Sequence, residues 1–229
     1  MQKMVQTVER RTSIDEVFDQ LSDEIDSMTL PPGAKLSEAD IARRFGVSRQ
    51  PVRDAFTRLE NQGLLLIRPK KATVVRGFSM PAISHARFVR VAIELEVLRA
   101  GCAIWDRARA DLLRDNLERQ ETAVAKRDGE AFHALDYSFH KTICELSGQP
   151  LAFDAIQDLK RCVDRLCVLS LGREDEAATL LADHQEIARA LEVRDAPAAE
   201  TSARRHFARL DATIEDIAAK HAEFFEDPG

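Results

Sequence analysis

Residues 36–76, LSEADIARRFGVSRQPVRDAFTRLENQGLLLIRPKKATVVR, constrain this chain more than any other stretch. They have room for two short amphipathic helices, a tight turn between them and a pair of strands. Ser37 can cap a first helix whose apolar positions Ile41, Ala42 and Phe45 recur three and four apart, and Gly46 supplies the positive φ that stops it. Val47 packs the turn. Ser48 can cap a second helix. That helix tolerates Pro51 in its first turn, where a backbone donor is least missed, and buries Val52, Ala55, Phe56 and Leu59 before Gly63 ends it. Two helices joined by a four-residue turn containing Gly predict a helix-turn-helix. The apolar stripe of the second helix leaves Arg49, Gln50, Arg53, Thr57 and Arg58 on its other faces. Arg49 and Gln50 fall at the N-terminal end that such motifs insert into the major groove. Beyond it, residues 64–68 and 72–75 are rich in Leu, Ile and Val and flank Pro69-Lys70-Lys71, so they read as a β-hairpin wing with a basic tip.

Charge has to be read by region. The formal net charge of −6 would argue against nucleic acid as a partner. Residues 37–76, however, carry nine Lys or Arg against four Asp or Glu, a balance of +5, whereas residues 79–229 carry twenty against twenty-eight, a balance of −8. This asymmetry predicts a basic reader joined to an acidic body. No apolar run approaches the roughly 20 residues of a membrane span, and MQKMVQTVERR lacks a signal-peptide core, so the expected location is the cytoplasm. Cys102, Cys144, Cys162 and Cys167 sit in helical patterns without a CxxC pair, which fits reduced, buried thiols.

Upstream of the reader, residues 1–12 are polar and expected to fray. Ser13 and Glu16 have the spacing of a capping box, and Ile14, Val17, Phe18, Leu21, Ile25 and Met28 then mark a one-faced helix that Leu30-Pro31-Pro32-Gly33 breaks. A shift from strand to helix pattern over residues 77–81 divides the chain into a domain over 1–78 and another over 79–229. In the second domain nothing reads as strand. Apolar-periodic segments fall at about 82–106, 109–127, 130–147, 150–171, 174–193 and 196–222, with breaks at Gly129, Gly148-Gln149-Pro150, Gly172 and Asp195-Ala196-Pro197. The expected fold class is therefore mainly α, a winged helix-turn-helix followed by an antiparallel six-helix bundle. The tail after Lys220 reads as loose.

One constellation in the bundle could carry chemistry. Asp136 and His140 lie four apart in ALDYSFHKTI, so both project from one face of the third bundle helix. His184 and His206 sit on the last two helices beside core positions such as Ile187, Leu191, Phe207 and Leu210. If those helices face the third, three imidazoles and one carboxylate converge. Such a set suits Zn, Ni, Mn or Fe(II), and an octahedral ion would keep positions open for water or an anion. The competing reading is three hydrogen-bonded core histidines. His85, His133 and His221 lack matching partners and read as surface residues, while Trp105 and Tyr137 read as packing aromatics.

The run LPPGAKLSEADIARRFGVSRQPVRDAFTRLENQGLLLIRP resembles the winged-helix DNA-binding domain of the GntR family of bacterial transcription regulators. Ala72 departs from the Gly that many relatives place in the wing. DYSFHKTICELSGQPLAF, a later His-x-x-Ile and a final His about twenty residues on are similar to the FCD ligand-binding domain that often accompanies this reader; the helix count resembles its shorter, VanR-like branch rather than the FadR branch. The resemblance implies a metabolite-responsive, DNA-binding regulator, a repressor in the simplest case. Asp136, His140, His184 and His206 would hold a divalent metal ion, Zn first and Ni, Mn or Fe after it. Arg90 and Glu94 would take part in binding a small organic acid, against the alternative of an i,i+4 salt bridge. Candidate DNA contacts are Ser37, Ser48, Arg49, Gln50, Pro51, Arg53, Lys70 and Lys71. A homodimer on a palindromic operator is the expected assembly.

An enzyme is the competing class, since a His-rich site with open positions also suits a metallohydrolase or oxygenase. Against it, the chain has no HExxH, P-loop, GxSxG or GxGxxG, and no residue is assigned a catalytic role. A winged helix serving protein or RNA contact beside a structural bundle is the third reading.

Overall fold

The computed structural model describes residues 12–170 and 174–226. The chain divides into two compact units. One runs to Phe78 and takes in residues 224–226; the other begins at Ser79 and runs to Glu223.

In the first unit α1 (Ser13–Asp26), β1 (Lys35–Leu36), α2 (Glu38–Phe45), α3 (Arg49–Asn61), β2 (Leu65–Leu66) and β3 (Thr73–Val75) follow in order. Helix α1 buries Val17, Phe18, Leu21 and Ile25 against Val52, Ala55, Phe56 and Leu59 of α3. Its capping box is formed one residue earlier than the sequence suggests. Thr12, extended at φ −78° and ψ 156°, pairs with Asp15, and Ser13 is already helical. Asp15 has a second reason to sit there, since it also accepts from Arg58 of α3, whose guanidinium lies 4.1 Å over the Phe18 ring. Gly46 ends α2 at φ +66°, the left-handed conformation that Gly adopts without Cβ strain.

Strands β2 and β3 pair antiparallel as the expected wing, Leu65 opposite Val75, with Lys70 at the tip in a left-handed turn. Strand β1 was not evident in the sequence. It pairs antiparallel on the far side of β3, giving the order β1-β3-β2. The Pro31-Pro32-Gly33 turn steers it there: Gly33 (φ +82°) donates to the Val75 carbonyl, and Val75 donates back to Ala34.

The second unit consists, among the described residues, of α4 (Met80–Ile104), α5 (Arg107–Ala125), α6 (Gly129–Leu146), α7 (Pro150–Cys167), α8 (Glu174–Glu192) and α9 (Ala196–Lys220), with short 3-10 turns. These are the six expected segments. Ser79, Asp106, Asp128 and Asp195 cap α4, α5, α6 and α9 through their side chains, which stops each helix where a polar residue can take an orphan amide. A single apolar core joins them, with Trp105, Leu113, Phe139, Ile156 and Leu191 fully buried. Cys102 and Cys144 are buried free thiols, as expected; the side chains of Cys162 and Cys167 fall outside the described set, as do Gly172 and all of residues 1–12, expected to fray, except Thr12, which the capping box holds in place.

The described part of the tail, residues 221–226, is not loose. Phe78 donates to the Phe224 carbonyl and accepts from the Glu226 amide, the Phe78 and Phe225 rings lie 5.5 Å apart, and Arg76 pairs with Glu226. Two apolar rings and a charge at the right spacing outweigh the polar look of the segment.

Candidate nucleic-acid interface and candidate metal centre

Helix α3 presents its polar side to solvent because Val52, Ala55, Phe56 and Leu59 consume the other side. Ser48 occupies the N-cap of α3, but its hydroxyl makes no capping bond. Ser48, Arg49, Lys70 and Lys71 are exposed, and neither Arg49 nor the two lysines form an ion pair among the described residues. Gln50 donates to Asp54 within its own helix, and Pro51 is half-buried in the first turn. Ser37 is exposed at the α2 N-cap and accepts from Asp40. Arg53 is engaged: its guanidinium contacts both Glu38 oxygens, at 3.3 and 3.0 Å, and that pairing raises its pKa.

In the bundle, Asp136 and His140 on α6, His184 on α8 and His206 on α9 each place one ligand-capable atom within 4.8 Å of the others. The three imidazole rings are buried, their centroids 4.6 to 5.5 Å apart, and Phe139 stacks on His184 at 4.1 Å. Nδ1 of His140 faces Oε2 of Glu94 at 2.6 Å, and Nδ1 of His184 faces Oε1 of Gln120 at 2.8 Å. That leaves Nε2 of each ring turned toward the centre, where Asp136 Oδ1 lies 3.9 Å from His140 and 3.4 Å from His184.

Nε2 of His140, Nε2 of His184 and Nδ1 of His206 are buried without a hydrogen-bond partner. Three satisfied core histidines would each have found one, because a buried nitrogen without a partner costs about 1–3 kcal/mol. A carboxylate and three imidazoles with unpartnered ring nitrogens are a donor set that suits a divalent transition-metal ion. Burial pushes the pKa of His184 down, and that of His206 well down, where neighbouring His184 and His140 add to the effect. Both rings are thereby kept neutral, the form that ligates.

Arg90 and Glu94 of α4 are buried beside this cluster and joined by a 2.6 Å ion pair. Burial alone would raise the Glu94 pKa, but the Arg90 guanidinium and His140 outweigh it and hold the carboxyl below the usual range. Arg90 also lies 5.1 Å from the Phe207 ring centroid. Of the two alternatives posed by the sequence, the i,i+4 salt bridge is formed, and it lies beside the Asp136 and histidine cluster.

Some contributors went unnoticed in the sequence. Asn116 and Gln120 of α5 are buried amides; Asp183, next to His184, is buried between Arg205 and Arg209, with Oδ2 3.9 Å from His206 Nδ1. The signal available for the first two was their own i,i+4 spacing. His85 and His133 are exposed and His221 is half-exposed, as expected. Trp105 is buried and Tyr137 packs edge-on against Phe153.

Residues 13–75 match the model for bacterial regulatory proteins of the gntR family, and residues 86–209 match the FCD domain. The HTH-type transcriptional repressor RspR of Escherichia coli (strain K12) is 33% identical over 198 residues, 86% of this chain and 87% of the relative. The chain belongs to the GntR family. It is a DNA-binding bacterial transcription regulator with an FCD effector domain, and the family and its relatives are regulators rather than enzymes. Among solved structures, E. coli McbR/YncC superposes with a TM-score of 0.69 at 20% identity, covering 90% of this chain and 99% of that one. The Listeria monocytogenes protein Lar gives 0.61 at 18%, over 91% and 99%. No described helix is long and apolar enough to cross a membrane.

Proposed function

We propose that this GntR regulator is a metabolite-responsive repressor working as a homodimer on a palindromic operator in the bacterial cytoplasm. Arg49, Gln50 and Arg53 would read base edges and phosphates. Ser37, Ser48 and Pro51 would bring the starts of α2 and α3 against the backbone, and Lys70 and Lys71 would hold it from the wing. An Arg to guanine or Gln to adenine contact is worth about 1–3 kcal/mol of discrimination. The repressor assignment draws on the name of the E. coli relative.

The observation that carries the sensing half is the convergence of Asp136, His140, His184 and His206 with three imidazole nitrogens lacking partners. These four residues would hold a divalent cation, Zn first, with Ni, Mn and Fe as competitors. When bound, such an ion supplies a Lewis-acidic positive centre that one carboxylate leaves incompletely neutralised, which favours an anionic effector. A small organic acid fits that charge, with Arg90 beside the site able to meet its carboxylate in two-point fashion. The cavity lined by Glu94, His140, Phe139 and Phe207 has a volume of about 10 Å³. That is room for about one water, so an effector entering by this cavity has to displace side chains. Displacement gives the effector different affinities for two bundle arrangements, which is what coupling to DNA requires; a hundredfold change in operator affinity takes about 2.7 kcal/mol.

Two measurements test this reading. Protein purified without chelator should contain about one equivalent of metal by elemental analysis, lost in the His140→Ala, His184→Ala double variant; absence of metal from the unaltered protein would return the cluster to a core role. In gel shifts Arg49→Ala should remove operator preference with the bundle still folded, and unchanged binding would sink the reading-helix assignment.

A further inference from the structure

We infer that Asn116 and Gln120 of α5 are positioning residues for the metal centre, a relay of two buried amides that fixes His184 in the tautomer whose lone pair faces Asp136. The inference rests on the metal reading above and concerns residues outside the ligand set.

Its starting point is the Leu135 carbonyl, one residue before the ligand Asp136. A backbone carbonyl only accepts, so the Asn116 group facing it at 3.2 Å is the amide nitrogen. Asn116 Oδ1 then points the other way and accepts from Gln120 Nε2 at 2.7 Å. Gln120 Oε1 is left to face His184 Nδ1 at 2.8 Å, and an amide oxygen also only accepts. His184 Nδ1 must therefore carry the proton, and Nε2 keeps its lone pair 3.4 Å from Asp136 Oδ1. Reversing the relay would set Asn116 Oδ1 against the Leu135 carbonyl, two acceptors facing each other away from bulk solvent: Asn116, Gln120 and His184 are all buried, Gln120 and His184 completely. Each amide orientation thus depends on the previous one, and the whole relay on a backbone atom that cannot change role.

The relay differs from the clamp on His140, where the acceptor is the Glu94 carboxylate tied to Arg90. A carboxylate adds charge; the amide pair orients an imidazole without any, so the positive balance of the loaded site is not spent on its own support. It also spans α5, α6 and α8, holding in register the two helices that carry Asp136, His140 and His184.

The test uses the full-length protein with 15N-labelled histidine and zinc alone as the probe. In the metal-free protein, long-range 1H–15N spectra should show His184 protonated at Nδ1. Gln120→Met, which keeps length and loses the acceptor, should show a tautomer mixture and bind zinc 10- to 100-fold more weakly in chelator competition. An Nε2-protonated His184 in the unaltered protein overturns the proposal without recourse to any variant. So does a folded Gln120→Met protein of unchanged zinc affinity. Failure of the unaltered protein to bind zinc refutes zinc as the resident ion and overturns the relay's role in holding it, while the metal-free spectrum still reports on the relay's direction.

Discussion

Arg53 and Glu38 meet in a two-point ion pair, so a side chain assigned to DNA is already occupied. To take a phosphate it must leave Glu38, and at a solvent-exposed site that exchange costs little. Glu38→Gln is therefore expected to raise operator affinity in gel-shift titration; a loss would mean that Glu38 holds Arg53 in its reading pose. Cys144 stands at the other extreme of accessibility. Burial, aided by Glu94, pushes its thiol up to about 12, so iodoacetamide at mildly alkaline pH should leave Cys144 unmodified until denaturant is added, as peptide mass mapping would report. For the metal-free protein, His184 and His206 set a pH dependence. Their folded pKa values are depressed, so below about pH 6.5 the unfolded chain binds protons that the folded bundle refuses. Stability is full above that value and falls as the pH drops beneath it, a trend that urea titrations across the range would check.

Elements translate such residue effects into geometry, and α2 shows how little room some of them have. Gly46 stops the helix at φ +66°, and a Cβ built there meets nothing within 4 Å. Gly46→Ala therefore costs left-handed strain alone, about 1–2 kcal/mol in urea unfolding of the reader; a larger loss would reveal a clash. This helix end was legible from sequence because the apolar spacing and a Gly coincide. Asp136 and His140 were legible for the same reason, since i and i+4 share a face whatever surrounds the helix. That His184 and His206 come round to meet them depends on how α8 and α9 pack, which periodicity does not encode and the family resemblance supplied. Strand β1 is two residues long, too short for an alternation to show. Asn116 and Gln120 lie in the charged run RDNLERQE and look like one solvated face; only the packing of α5 against α6 and α8 turns these two amides inward while their charged neighbours remain outside. The pair Arg53–Glu38 joins residues fifteen apart across the turn, a separation that no single-helix pattern covers.

At the scale of the whole molecule, the net charge of −6 hides a reader of opposite sign. If each of two readers neutralises about three phosphates, the logarithm of operator affinity should fall with the logarithm of salt at a slope of about −5. A slope near zero would exclude backbone gripping by Lys70, Lys71 and the α3 arginines. Zinc at a hundred times its dissociation constant should add about 2.7 kcal/mol to the bundle, visible as a raised bundle melting temperature. The pocket between Glu94 and Phe207 has a kinetic corollary. A chamber that admits about one water cannot be entered at the pace of diffusion. For an effector that enters there, stopped-flow traces should reach a plateau with rising effector concentration, the ceiling being the frequency at which the bundle breathes, and the cell's response time would be written in that frequency rather than in the effector's abundance.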